Sequence, residues 1–201
     1  MWIDDEAALE ALYGRPGEAS LVKEVPRLTP QYRAIIEASP FCVLATAGAE
    51  GLDATPRGDP AGFVAVVDER TLVMPDRRGN NRIDSLRNIV RDPRVALLFL
   101  VPGVGETLRV NGRARISADP ELLARHAVDG KAPTSALVIS VDTVYFQCAR
   151  ALHRSRLWDP GLHRARGELP SAGDMLKGAH QPFEAEDYDR GLAARQKATL
   201  Y

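Results

Sequence analysis

The chain has 201 residues, 45% of them hydrophobic, and a formal net charge of -1. That size suits one medium domain, large enough to bury a core without metals or disulfides. The near-neutral balance excludes a global field that would gather nucleic acid or an anionic membrane.

The first residues, Met1-Trp2-Ile3-Asp4-Asp5-Glu6, are acidic and lack a signal-peptide pattern. No apolar run approaches the ~20 residues of a spanning helix. A cytoplasmic protein without a membrane partner is expected. Residues 4 to 13 read as a short helix ended by Gly14. Thr29-Pro30 opens another, since Thr29 can cap and Pro30 suits a first turn. It carries Tyr32, Ile35 and Ile36 and stops at Ser39-Pro40.

Strand material follows. Phe41 to Thr46 and Leu52 to Arg57 flank a turn at Gly48 to Gly51 and read as a hairpin. Phe63 to Val67 and Thr71 to Met74 form a second, around Asp68-Glu69-Arg70. Arg94 to Val101, Thr107 to Ile116 and Ala136 to Cys148 are the remaining strands. Two helices interrupt them, one from about Asn81 to Arg91, one from Asp119-Pro120 to about Ala127. Short strands with local hairpins and few helices predict a barrel-like α+β domain, whose closure hides sheet edges. The organisation expected is a helical segment over 1–40, the barrel over 41–159 and an extended, docking tail over 160–201. Cys42 and Cys148 sit in apolar runs and read as buried thiols. His126, His153, His163 and His180 are scattered without metal or triad spacing, and no dinucleotide fingerprint occurs.

Three segments carry chemistry. In Met74-Pro75-Asp76-Arg77-Arg78-Gly79-Asn80-Asn81-Arg82-Ile83-Asp84-Ser85 a strand ends, a loop turns and a helix begins. Helix amino termini hold anions with free N–H groups. With the helix begun at Asn81, the wheel at ~100° per residue makes an apolar stripe of Ile83, Leu86, Ile89 and Val90. Arg82 falls inside it with Ser85 at its edge. An inward arginine needs an anion: a phosphate, or a carboxylate such as Asp53 or Asp59. The second segment, Thr55-Pro56-Arg57-Gly58-Asp59-Pro60, marks a strand end. Its Arg57 is either a second phosphate-binding arginine or a surface arginine at a turn. The third, Ala149 to Asp159, is basic with Trp158. It reads as a solvated helix, or as a nucleic-acid contact that the net charge disfavours.

Together these segments resemble the pyridoxamine 5′-phosphate oxidase-like superfamily, and more closely a bacterial FMN-binding branch of it. Asp92-Pro93-Arg94-Val95, Leu108-Arg109-Val110-Asn111-Gly112 and the Arg154-Ser155 to Leu157-Trp158 stretch also match, in order and spacing, over most of residues 25 to 160. The resemblance implies a split β-barrel, a six-stranded antiparallel Greek-key barrel with peripheral helices. It implies a homodimer with FMN sites at the interface. It places Asn81, Arg82 and Ser85 at the flavin phosphate and Arg57 beside the flavin. Met74, Pro75 and Asp76 would lie along the ring, and Arg154, Ser155 and Trp158 would close the site from the partner subunit. The implied function is an FMN-dependent oxidoreductase acting on a small molecule or electron donor. The alternative is a carrier or sensor that holds flavin, haem or a deazaflavin without turnover. The loop lacks the oxidase's Ser-Arg-Lys run, and a long tail replaces its short carboxy-terminal motif. No vitamin B6 substrate is therefore assigned.

Overall fold

The computed structural model describes residues 2–201, so Met1 lies outside the described residues. The chain opens with α1 (Glu6–Tyr13), α2 (Glu18–Val22) and α3 (Pro30–Ala38). Asp5 caps α1 by accepting from the Ala8 amide at 2.8 Å, and Thr29 caps α3 by accepting from Tyr32 at 3.2 Å.

The strands are β1 (Phe41–Gly48), β2 (Gly51–Gly58), β3 (Ala65–Asp68), β4 (Thr71–Asp76), β5 (Arg94–Leu100), β6 (Thr107–Ser117) and β7 (Ser135–Gln147). All pairings are antiparallel, in one seven-stranded sheet ordered β2-β1-β5-β6-β7-β4-β3. Two helices interrupt the strands, α4 (Asp84–Arg91) and α5 (Pro120–Ala124). This is the expected mixed α+β barrel with peripheral helices. Its strands number seven rather than six, counting the four-residue edge strand β3. Neighbours such as β1–β5 and β7–β4 are distant in sequence, as a Greek key requires.

Alternation decides what each strand buries. Cys42 and Leu44 of β1, Leu97 and Phe99 of β5, and Leu108 and Val110 of β6 share one core with Leu72 and Met74 of β4. Residues from β1 and β4, well separated in the sheet order, meet in that core only because the sheet curls. Ile36 of α3 and Ile89 of α4 complete it. At Gly48 an added Cβ would lie 2.3 Å from Asn88 Oδ1, so a side chain there would displace the Asn88 amide. Asn88 also donates to the buried Thr46 hydroxyl at 3.0 Å.

Three expectations need correction. The helix after β4 starts at Asp84, not Asn81, because Asn81 and Ile83 take φ of 60° and 53°. Left-handed residues cannot continue a right-handed helix. The wheel therefore turns: Ser85 and Ile89 are its buried residues, while Val90 is 77% exposed. After β7 comes α6 (Arg150–Ser155), and the tail over 160–201 is not extended but helical in large part, with α7 (Ala172–Ala179) and α8 (Ala185–Ala198). Its glycines read as breakers, yet Gly173 is where α7 meets α8, with room for no Cβ beside the Ala185 carbonyl at 2.4 Å. Ser171 and Asp174 close a reciprocal cap on α7. The predicted burial of Cys148 also fails, since that thiol is exposed, whereas Cys42 is buried.

Candidate functional site

The ends of β2 and β4, the loop after β4 and the first turn of α4 enclose a cleft of about 560 Å³. Of the residues singled out in the sequence, Arg57, Pro75, Asp76, Asn81, Arg82 and Ser85 all line it. Met74 does not. Its side chain is packed in the core, because alternation along β4 turns it away from the cleft. Arg154, Ser155 and Trp158 lie in or just after α6, away from this cleft on the same chain. Ser155 Oγ donates to the Leu152 carbonyl, and Trp158 Nε1 to the Val104 carbonyl at 2.8 Å.

Arg82 corrects the wheel. Because it precedes the helix, its side chain is 75% exposed, and Nε donates to Asp84 at 2.8 Å. It pairs with neither Asp53 nor Asp59. The guanidinium groups turned inward are those of Arg57 and Arg77. Arg57 Nη1 donates to Asp76 Oδ1 at 2.6 Å, and the two side chains are 19% and 17% exposed. Arg77 Nε donates to Asp59 Oδ2 at 2.6 Å, with Asp59 only 3% exposed. A second Arg77 nitrogen, Nη1, donates to the His126 carbonyl at 2.7 Å. The Ser85 hydroxyl spends its proton on Asp53 at 2.7 Å.

Four arginines, Arg57, Arg77, Arg78 and Arg82, line the cleft beside three carboxylates, Asp53, Asp76 and Asp84. These carboxylates each already accept a hydrogen bond. Against this, Arg57 Nε is buried without a partner among the described residues. A buried donor left unpaired costs roughly 1–3 kcal/mol, so a ligand acceptor there is favoured. The first turn of α4 has no side-chain cap, leaving amide donors at the cleft. Ile83, a β-branched residue at positive φ, sets the angle at which that turn meets the cleft.

Burial holds the His126 imidazole below its ordinary pKa, and the Arg77 and Arg125 charges add to this. Burial pushes the Cys42 thiol up to about 12, against the opposing charge of Arg57. Asp59, Arg77, His126 and Tyr201, which the structure gathers behind the cleft, were legible only in part. Asp59 and Arg77 lie inside the two segments singled out above, but Tyr201 carries no local signal. Among the described residues no group of histidine, cysteine and carboxylate side chains could hold a metal. No helix among them is long and apolar enough to cross a membrane.

Residues 28–148, more than half of the chain, match the family model described as pyridoxamine 5′-phosphate oxidase. Among solved structures, Group A Streptococcus HupZ is 18% identical, with 59% of this chain and 98% of that one covered at a TM-score of 0.48. An F420 reductase is 20% identical, with 60% and 98% covered at 0.43. A Clostridium acetobutylicum protein related to general stress protein 26, of the pyridoxinephosphate oxidase family, is 13% identical, with 59% and 86% covered at 0.46. No curated protein matches the chain.

Proposed function

The chain belongs to the pyridoxamine 5′-phosphate oxidase family, and from that premise we propose that its cleft binds FMN and serves an oxidoreductase acting on a small molecule. The observation that carries the reading is the convergence of Arg57, Arg77 and Arg82 on one cleft, with Arg57 Nε left without a partner among the described residues. A phosphate is a dianion with acceptor oxygens, which guanidinium groups meet with charge-assisted, bidentate hydrogen bonds. Its volume, about 560 Å³, lies within the range of small-molecule and cofactor sites.

The residues divide by role. Arg82, with 75% of its side chain exposed, is free to leave Asp84 and swing onto a phosphate. The backbone amides of Asn81 and Ser85, and the Asn81 side chain, flank it. The Ser85 hydroxyl acts by fixing Asp53. Arg57 and Asp76 hold the two barrel edges together and present the Arg57 edge to the ring. Pro75, buried beside them, gives the ring an apolar wall. Bound flavin supplies the redox chemistry, accepting or giving a hydride. The chain's own task is to orient it and exclude water from one face. Hydride transfer to or from the flavin needs no general acid or base from the protein.

A second copy of the chain completes the proposal. On the sheet face opposite the core, Val43 and Ala45 of β1 pair with Leu98 and Ala96 of β5, all half-buried. A partner there would cover this apolar face, and it would bring Arg154, Ser155 and Trp158 toward the other cleft. Two unpaired cysteines fit the reducing cytoplasm.

The visible spectrum of the purified protein is the test, followed by mass spectrometry of the released chromophore. Flavin absorption and the mass of FMN are expected. A colourless protein that gains no flavin spectrum on titration with FMN would overturn the reading, and a haem or deazaflavin spectrum would replace the cofactor. Bleaching by a reduced nicotinamide or another donor would then separate turnover from storage.

A further inference from the structure

The segment beyond the family match returns to the cleft through a single aromatic residue. Tyr201 Oη donates to Asp59 Oδ1 at 2.6 Å, while Arg77 Nε donates to the other oxygen, Oδ2, at 2.6 Å. One carboxylate, itself almost wholly buried, therefore joins the tail to a cleft-lining guanidinium. The Arg77 guanidinium carbon also lies 5.5 Å from the centre of the Tyr201 ring, within cation–π range. Lys131 Nζ donates to the Tyr201 carbonyl at 3.3 Å, tying down the backbone as well. The hydrogen bond to Asp59 raises the phenol's pKa, so Tyr201 stays a donor at neutral pH.

We propose that Tyr201 is a positioning residue for the cleft: by sharing Asp59 with Arg77 and covering the guanidinium's face, it fixes Arg77 at the cleft wall. Arg77 has five N–H donors. Asp59 takes Nε and the His126 carbonyl takes one Nη1 proton. Nη2 makes no hydrogen bond among the described residues and is left for an anionic ligand. Without Tyr201, Asp59 loses one of its two partners and Arg77 loses the surface that limits its rotation. The tail thereby sets the rigidity of a cleft whose lining on this chain lies within residues 28–148. The expected effect on flavin binding rests on the FMN reading, but the position of Arg77 does not.

The test uses the full chain labelled with ¹⁵N. The Arg77 Nε–H signal, identified by its loss in Arg77→Lys, is followed for exchange with solvent. Tyr201→Phe removes the hydrogen bond alone, and Tyr201→Ala removes the ring as well. Exchange is expected to rise about tenfold in Tyr201→Phe, the scale of one lost hydrogen bond, and further in Tyr201→Ala. FMN affinity is expected to fall about tenfold in Tyr201→Ala. In an Arg77→Lys background the same change should alter affinity less than about twofold, because the two residues act as one unit. Unchanged exchange in both tyrosine variants overturns the proposal. Faster exchange with unchanged FMN affinity overturns the positioning role. A wild-type chain that binds no FMN overturns the flavin reading, and exchange still decides whether Tyr201 fixes Arg77.

Discussion

Arg57 Nη1 donates to Asp76 Oδ1 at 2.6 Å, although β1, β5, β6 and β7 all lie between their two strands in the sheet order. This pair bridges the opening of the barrel, and the donor it leaves over, Nε, is the one buried without a partner. Structure and binding therefore meet in one side chain. Arg57→Ala is expected to lower stability by about 1–2 kcal/mol in urea denaturation, because Asp76 is left partly buried and unpaired. It is also expected to weaken FMN by about one to two decades, the scale of a charge-assisted contact. Loss of stability with unchanged affinity would make Arg57 a strut and nothing more.

Arg82 separates the two properties. Its ion pair with Asp84 is exposed, and such pairs contribute roughly 0–1 kcal/mol. Arg82→Ala should leave the denaturation midpoint within about 0.5 kcal/mol of the parent. FMN affinity should fall by about one to two decades if the guanidinium swings onto the phosphate. Stoichiometric flavin retained by this variant would place the anchor elsewhere.

The contrast between these arginines shows what a sequence can and cannot reveal. Strand positions came through because alternation and turn residues are local signals, and Thr29 and Asp119 cap, and Pro30 opens, the helices that their types predict. The loop after β4 also announced itself, and six of its flagged partners converge on one cleft. What failed was direction. A helix begun three residues early rotates every side chain on the wheel, and the left-handed Ile83 that sets the true start is a residue type with no preference for that conformation. The Tyr201–Asp59 contact spans most of the chain and was invisible for a different reason: nothing near either residue encodes the other.

The cysteines differ in reactivity despite similar sequence surroundings. Cys42 is buried and its thiol is pushed up to about 12, whereas Cys148 is exposed. Thiolate is the reactive form. At pH 8 a disulfide reagent should therefore modify one thiol per folded chain, and the second only after unfolding. Cys42 is the cross-strand neighbour of Arg57, so rapid labelling of both thiols in the native protein would contradict the packing around the cleft.

His126 predicts the acid limb of the stability curve. Its backbone carbonyl accepts from Arg77, and burial with the Arg77 and Arg125 charges lowers its pKa in the folded state. The unfolded chain, with an ordinary histidine value of about 6.5, then binds more protons than the folded chain between the two pKa values. Stability consequently rises with pH through that window. The contribution is complete above about pH 6.5 and is lost as pH falls below it. Urea midpoints measured between pH 5 and 7.5 should decline on the acid side in the parent. In His126→Asn, whose carbonyl still accepts from Arg77 but whose side chain cannot titrate, that part of the decline should disappear. An identical acid limb in both proteins would show that His126 protonates as easily in the folded chain as in the unfolded one, and that Arg77 exerts no charge on it.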